Sequence, residues 1–540
     1  MRTLRLRHLG IAAFGACLAT AVAVASSSTT PEAPMMTGEN GWSVSPVFTV
    51  SETIDGYQAP GILDGTGAFR IGKNTVRVLV NHEFGNNVGY PYELANGTDL
   101  TGARVSYFDI DRTTRAVCGA GLAYHTIRDR QGAVVTSAAQ INESGDPLRG
   151  LARLCSAQLV EKGDFGFRDT IFFTGEESGN TTEWALDVEA GELWACPWLG
   201  RGSWENVTPV DTGCKDTIAL LLGDDTAPAP LYLYVGTKAK PNAGFLERNG
   251  LTGGSLYVWV ADNGDTTPAQ FRGQGAFRAG RFVEIPVKDP AQAGLPGYDA
   301  QGFLDRSTLK AEADAVGAFA FSRPEDLSTN PYDGTQVVFA STGRDSLFGG
   351  ADSWGTIYVA DLDFGRPRRC GGAIQADLTI VHDADDLLVP DAGIRSPDNL
   401  VWSPNGYVYV QEDRSIDAFG SVTGREASIW QLDPSSGAYS GVAEMDRSAV
   451  APGDATDSGA GDLGNWESSG VIDVTDLFKT AKDETLLLAV VQAHGIRNGS
   501  IGGNARLAEG GQILLLSKAF GARGACHGRR GRSGHGRHDD

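Results

Sequence analysis

Thr75-Val76-Arg77-Val78-Leu79-Val80 is a run of β-branched and aliphatic residues of strand length, and it stops at Asn81-His82-Glu83. Such a run fits a pleated, half-buried surface better than a helix. The same texture returns at Asp169–Thr174, Leu231–Val235, Ser255–Val260, Thr335–Ala340 and Thr356–Ala360, then at Tyr407–Gln411, Thr485–Val491 and Gly511–Leu516. Gly, Asn or Asp ends these runs, as tight turns require, and the chain holds 71 Gly against 23 Pro. Helical periodicity is confined to one short stretch near Ser307–Ala315. Many strands in one chain must bury their faces on one another, and radial repetition does this at a length of 540 residues. The expected fold class is therefore all-β, a β-propeller with long loop insertions, although no fixed repeat length is visible.

The flanks have other compositions. Arg2, Arg5, Arg7 and His8 precede the apolar stretch Leu9–Val24, and Ala23-Val24-Ala25 offers a small-residue cleavage site before Ser26. Residues 1–25 are expected to be a signal peptide, exporting the chain to the periplasm or beyond. The stretch is short and alanine-rich, below the roughly 20 strongly apolar residues of a membrane span, and no other segment qualifies. Residues 26–45, rich in Ser, Thr and Pro, are expected to form a flexible leader, 46–518 the propeller, and the Gly/Arg/His-rich 519–540 a disordered tail.

With 45 basic and 67 acidic residues the net charge is -22. That balance argues against duplex nucleic acid as a partner and suits a site that gathers carboxylates around hard cations. Among the cysteines, Cys196 and Cys214 form the easiest local pair, and the absence of a Cys-x-x-Cys pair argues against a zinc knuckle.

Acids cluster at strand ends: Asn81-His82-Glu83, Glu176-Glu177, Asp224-Asp225, Arg323-Pro324-Glu325-Asp326, Ser396-Pro397-Asp398-Asn399 and Glu412-Asp413. In a propeller such ends converge on one face, where carboxylates repel unless cations neutralise them; calcium, with six to eight oxygen ligands, fits. Arg323 among these acids is a candidate clamp for phosphate. His82 and His494 are the better-placed histidines, and no Gly-x-Ser-x-Gly elbow supports a serine hydrolase.

The ordered series Asp64-Gly65-Thr66-Gly67-Ala68-Phe69, Val78 to Glu83, Thr174 to Glu177, Gly223-Asp224-Asp225, Gly254 to Val258, Arg323-Pro324-Glu325, Ser396 to Leu400 and Gln411-Glu412-Asp413 resembles the PhoX-type alkaline phosphatases. The resemblance implies a six-bladed propeller with calcium, and ferric iron as a second cation, at the channel mouth. It implies that Arg323 clamps a phosphate and Glu325 bridges metals. Cys155, Glu176, Glu177 and Glu205 become candidate ligands on the iron side, and Asp398 and Asp413 on the calcium side. The family's Cys-Glu-Glu is Gly175-Glu176-Glu177 here, its His-Glu is Trp204-Glu205, and its twin-arginine export signal is absent. The implied activity is hydrolysis of a small phosphomonoester. Two rivals stand beside it: calcium-dependent hydrolysis of lactones or phosphotriesters, and a non-catalytic propeller that calcium stabilises for binding a ligand or partner.

Overall fold

The computed structural model describes residues 30–142, 145–365 and 374–519. The expected signal peptide and, from residue 520 on, the expected tail lie outside the described residues. All nine quoted runs fall largely or wholly within strands, for example Thr75–His82 and Glu484–Ala493. The one expected helix is Arg306–Ala315, capped where Asp305 Oδ1 accepts the Thr308 N–H at 2.8 Å.

Six strands face inward: β1 (Leu63–Arg70), β2 (Leu154–Val160), β3 (Trp204–Val210), β4 (Pro324–Asn330), β5 (Pro397–Trp402) and β6 (Glu467–Asp473). Each pairs antiparallel with the next long strand of its own meander. The partners are Thr75–His82, Ile171–Glu176, Thr217–Asp224, Asp333–Ser341, Val408–Glu412 and Glu484–Ala493. Each inner strand also packs against the next, β1 on β2 through to β6 on β1, so the ring closes. This is an all-β, propeller-like arrangement, in which radial closure leaves little sheet edge exposed. The expected blades are not all separate sheets. Gly280–Ile285 pairs with Ser255–Ala261 and also with Ile374–Asp383, fusing the meanders of β3 and β4 into one ten-stranded sheet.

The N-terminal segment closes the ring. Ser43–Thr49 pairs with Gly510–Ala519, and Met36–Gly38 with Tyr439–Met445. The expected flexible leader over 26–45 is thus corrected for its described part: Met35, Met36 and Trp42 are buried, with Val47, Phe48 and Leu514, in one core between the first and last meanders. A polar composition masked a few apolar side chains, each contributing on the order of 2 kcal/mol when buried. Cys196 and Cys214, the easiest local pair, are not joined: Cys214 is disulfide-bonded, whereas Cys196 is a buried free thiol. Among the described residues no helix is long and apolar enough to cross a membrane.

Candidate metal centre

One local geometry, used repeatedly, builds the site. In β1 to β5 the pairing register shifts right after the first residue, between Leu63 and Thr66, Leu154 and Ala157, Trp204 and Val207, Pro324 and Leu327, and Pro397 and Leu400. Such a bulge bends the strand and re-aims its side chains. The second residues, at the bulges, are Asp64, Cys155, Glu205, Glu325 and Asp398.

Opposite them stand the residues that directly follow the partner strands: Glu83, Glu177, Asp225, Thr342 and Asp413. Each donates its N–H to the carbonyl of the residue preceding the inner strand. The bonds run from Glu83 to Ile62 (2.8 Å), Glu177 to Arg153 (2.8 Å), Asp225 to Ser203 (2.9 Å), Thr342 to Arg323 (3.0 Å) and Asp413 to Ser396 (3.1 Å). The sixth meander contributes Glu467 and His494. Gln492 Nε2 ties it back to the first, donating to Asp64 Oδ2 at 2.8 Å and Glu83 Oε2 at 3.1 Å.

Cys155, Glu177, Glu325, Asp398, Asp413 and Arg323 thereby line one cavity of about 440 Å³, together with Glu83, Arg153, Asp225, Glu467 and His494. Three groups bring ligand atoms within 4.8 Å of one another: Asp64, Glu83 and Cys155; Cys155, Glu177 and Glu205; and Glu205, Glu325 and Asp398. Of the expected site residues, only Glu176 is not brought in. It is the last residue of its strand, so its side chain points away from that of Glu177. There it accepts the Ala152 N–H at 2.8 Å and the Trp184 Nε1–H at 2.9 Å.

The electrostatics are those of crowded acids. Burial first, and neighbouring carboxylates second, push Asp64, Glu177, Glu205, Glu325 and Asp398 well above the usual carboxylate range. The same causes raise Asp413 to about 7 and burial raises the Cys155 thiol. Asp225 is the exception. Burial opposes its ionisation, yet Arg323 holds it below its ordinary value, with Nε 2.5 Å and Nη2 3.2 Å from the two carboxylate oxygens. Arg323 Nη2 also lies 2.8 Å from Glu325.

The donor set fits cations. Asp64 Oδ1, Glu205 Oε2 and Asp398 Oδ1 are buried without a hydrogen-bond partner. A buried carboxylate oxygen left so costs several kcal/mol unless a cation or proton meets it. Hard oxygens suit calcium, and the Cys155 thiolate would suit a softer metal such as iron.

The two histidines divide. His82 is structural: its ring meets Gly61 O at 3.1 Å and Ser106 Oγ at 2.6 Å, and burial lowers it to about 3. His494 faces the cavity, with Nδ1 2.5 Å from Glu509 and Nε2 3.8 Å from Glu467. Burial works against its charge, but those two glutamates prevail and raise it to about 10.

Sequence reasoning gave no role to Asp64, Glu83, Arg153 and Asp225, and left out Glu467 and Glu509. A signal was there: an apolar residue or proline, then an acid or cysteine, then a small or amide residue. It reads Leu63-Asp64-Gly65, Leu154-Cys155-Ser156, Trp204-Glu205-Asn206, Pro397-Asp398-Asn399 and Trp466-Glu467-Ser468, with Pro324-Glu325-Asp326 as a variant.

Fold and site together define an all-β, propeller-like protein with a carboxylate- and thiol-lined pocket whose donor groups could hold cations. Residues 192–450 match the family description "Alkaline phosphatase PhoX", so the resemblance read from the motifs holds across the middle of the chain. Among solved structures, PhoX of Pseudomonas fluorescens, in complex with vanadate, a transition-state analogue, is similar in fold. It has a TM-score of 0.58 and 16% identity, covering 91% of this chain and 97% of that one. The WD40 domain of SCAP from fission yeast (TM-score 0.28, 8% identity, 89% and 99% covered) is much more distant. Cobalt-substituted apocarotenoid oxygenase of Synechocystis (TM-score 0.29, 11% identity, 91% and 95% covered) is similarly distant. No curated protein sequence matches the chain.

Proposed function

We propose that this protein is an exported, cation-dependent phosphatase that hydrolyses small phosphomonoesters in the cavity between the inner strands. The observation that carries the reading is one pocket that joins unpartnered buried carboxylate oxygens to an arginine fork. The family match over residues 192–450 and the fold shared with a vanadate-binding phosphatase support it.

Asp64, Glu83, Glu205, Glu325, Asp398 and Asp413 would hold calcium, and Cys155 with Glu177 and Glu205 would hold iron. Bound there, such cations supply positive charge where a phosphoryl group gathers negative charge in its transition state. Arg323 orients the phosphoryl oxygens, because its guanidinium is fixed by Asp225 from one side and Glu325 from another. His494, whose charged form Glu467 and Glu509 favour against burial, faces the cavity and would carry a proton on Nε2 there.

The six inner strands, each with its antiparallel partner, support a six-bladed count even though two blades share a sheet. The Ala-x-Ala site after a short apolar run supports export.

The direct test is hydrolysis of a chromogenic phosphomonoester by the purified chain, before and after chelation, with calcium added back. Loss and recovery of the rate are expected. A rate untouched by thorough chelation would reject the reading.

A further inference from the structure

We propose that Arg153 is a second anion-recognition residue of this cavity, the counterpart of Arg323, and that the two arginines together select a phosphoryl dianion. The inference deepens the phosphatase reading and rests on it.

Arg153 stands immediately before β2, as Arg323 stands immediately before β4. Both adopt the left-handed backbone that Ile62 and Ser396 also take at the corresponding place, with φ of 47° and 70°, a region that costs a non-glycine residue on the order of 1 kcal/mol. Both carbonyls accept the N–H of the residue that follows the partner strand, Glu177 and Thr342. The corresponding residues of three other meanders are Ile62, Ser203 and Ser396, none of them charged. Both guanidiniums line the same cavity.

Carboxylates hold both side chains, but unequally. Arg323 engages Asp225 through Nε and Nη2 and is 17% exposed, whereas Arg153 is 47% exposed. Arg153 meets Glu83 at 2.5 Å and also Glu177, its shortest contact to each being through Nη2. Its Nε and Nη1 have no protein partner among the described residues.

Glu83 and Glu177 each belong to a group with Cys155 that can take a cation. With a cation held there, Glu83 and Glu177 would turn oxygens to it, and the Arg153 guanidinium would be left available to substrate. A phosphomonoester carries close to two negative charges near neutral pH, a diester one, and two guanidinium forks match the former.

The test uses the full chain in calcium, with Arg153→Gln and Arg153→Lys. Three quantities are read: inhibition by inorganic phosphate, the ratio of kcat/KM for a phosphomonoester over its methyl diester, and the calcium-induced rise in Tm after chelation. Arg153→Gln is expected to weaken phosphate inhibition about tenfold or more, mainly through KM, and to erode the monoester preference. Arg153→Lys should restore part of both. The calcium-induced rise should persist in Arg153→Gln and saturate at lower calcium, since no guanidinium competes. Unchanged phosphate inhibition and preference in a variant that still responds to calcium would overturn the proposal. So would loss of the calcium response together with activity, which marks a structural role. If the unaltered protein hydrolyses no phosphoester, the phosphatase reading falls. Calorimetry with inorganic phosphate then decides on Arg153: weaker binding by Arg153→Gln supports the proposal, and equal binding rejects it.

Discussion

Arg323 and Glu177 show how much one side chain's direction decides here. Arg323 is bracketed by Asp225 and Glu325, so its fork is presented to the cavity without a search over rotamers. Arg323→Ala should lower kcat/KM for a phosphomonoester by about 100-fold or more while leaving the calcium-induced Tm rise in place; steady-state kinetics beside thermal melts check both. The adjacent pair Glu176 and Glu177 makes a sharper contrast. Glu177→Gln should raise the calcium needed for half-saturation about tenfold. Glu176→Gln should leave it within about twofold and cost stability instead, on the order of 1–2 kcal/mol, because it weakens the bonds from Ala152 and Trp184. Calcium titrations and denaturant melts of the two variants separate these outcomes. The sequence displayed Glu176-Glu177 as a pair of equal acids, and only the pairing of Glu176 with Leu154 tells which one turns inward.

At the scale of strands, the runs legible in the sequence are mostly the second and third strands of each meander. Their β-branched and aromatic residues face other sheets. The inner strands were mostly illegible as strands, because they bury polar groups on one another and carry the ligands. Leu63-Asp64-Gly65-Thr66 and Pro324-Glu325-Asp326-Leu327 read as turns. Within the ring those same polar residues bridge inner strands: Asn206 Nδ2 donates to Ser156 Oγ at 3.0 Å, Asp326 Oδ2 accepts from Leu400 N at 2.9 Å, and Asn399 Oδ1 accepts from Gly470 N at 2.5 Å. Close approach of β1 to β2 requires a glycine as well. A methyl group on Gly65 would lie 2.3 Å from Ala157 N and 2.4 Å from Ser156 C, both backbone atoms that cannot swing aside. Gly65→Ala is therefore expected to cost about 1–3 kcal/mol and to weaken calcium binding, since Asp64 and Cys155 sit on the two strands it would push apart. A variant with the parent's Tm and calcium affinity would show that the two strands are not so tightly apposed.

Across the whole molecule, the family resemblance and the all-β class were legible. The closure by residues 36–49 and the irregular spacing of the ligands were not. Residues 64, 155, 205, 325, 398 and 467 recur at unequal intervals because insertions between meanders differ in length, so no period search finds them. Gathering these acids at one place has a cost that pH exposes. Burial and neighbouring carboxylates raise the folded pKa values of Asp64, Glu205, Glu325 and Asp398, so without cations the folded chain binds protons more tightly than the unfolded one. The contribution of these acids to the stability of the chelated protein is therefore full only below the unfolded carboxylate range of about 4. It falls as pH rises through the folded values, of which Asp413 lies at about 7. Calcium takes the place of those protons and reverses the trend. Melts at pH 5.5 and 8.0 should show the chelated protein less stable at the higher pH, and the calcium-loaded protein equally or more stable there. Equal melting of the chelated protein at both values would mean that the acids do not repel one another.

The gathering itself is open to a single direct measurement: elemental analysis of the dialysed chain beside a Glu205→Gln, Asp398→Asn double variant. The unaltered protein is predicted to retain at least one equivalent of calcium, and the variant, still folded by circular dichroism, to lose it. Equal calcium in both, or none in either after loading and dialysis, would contradict a cation centre assembled from the mouths of the inner strands.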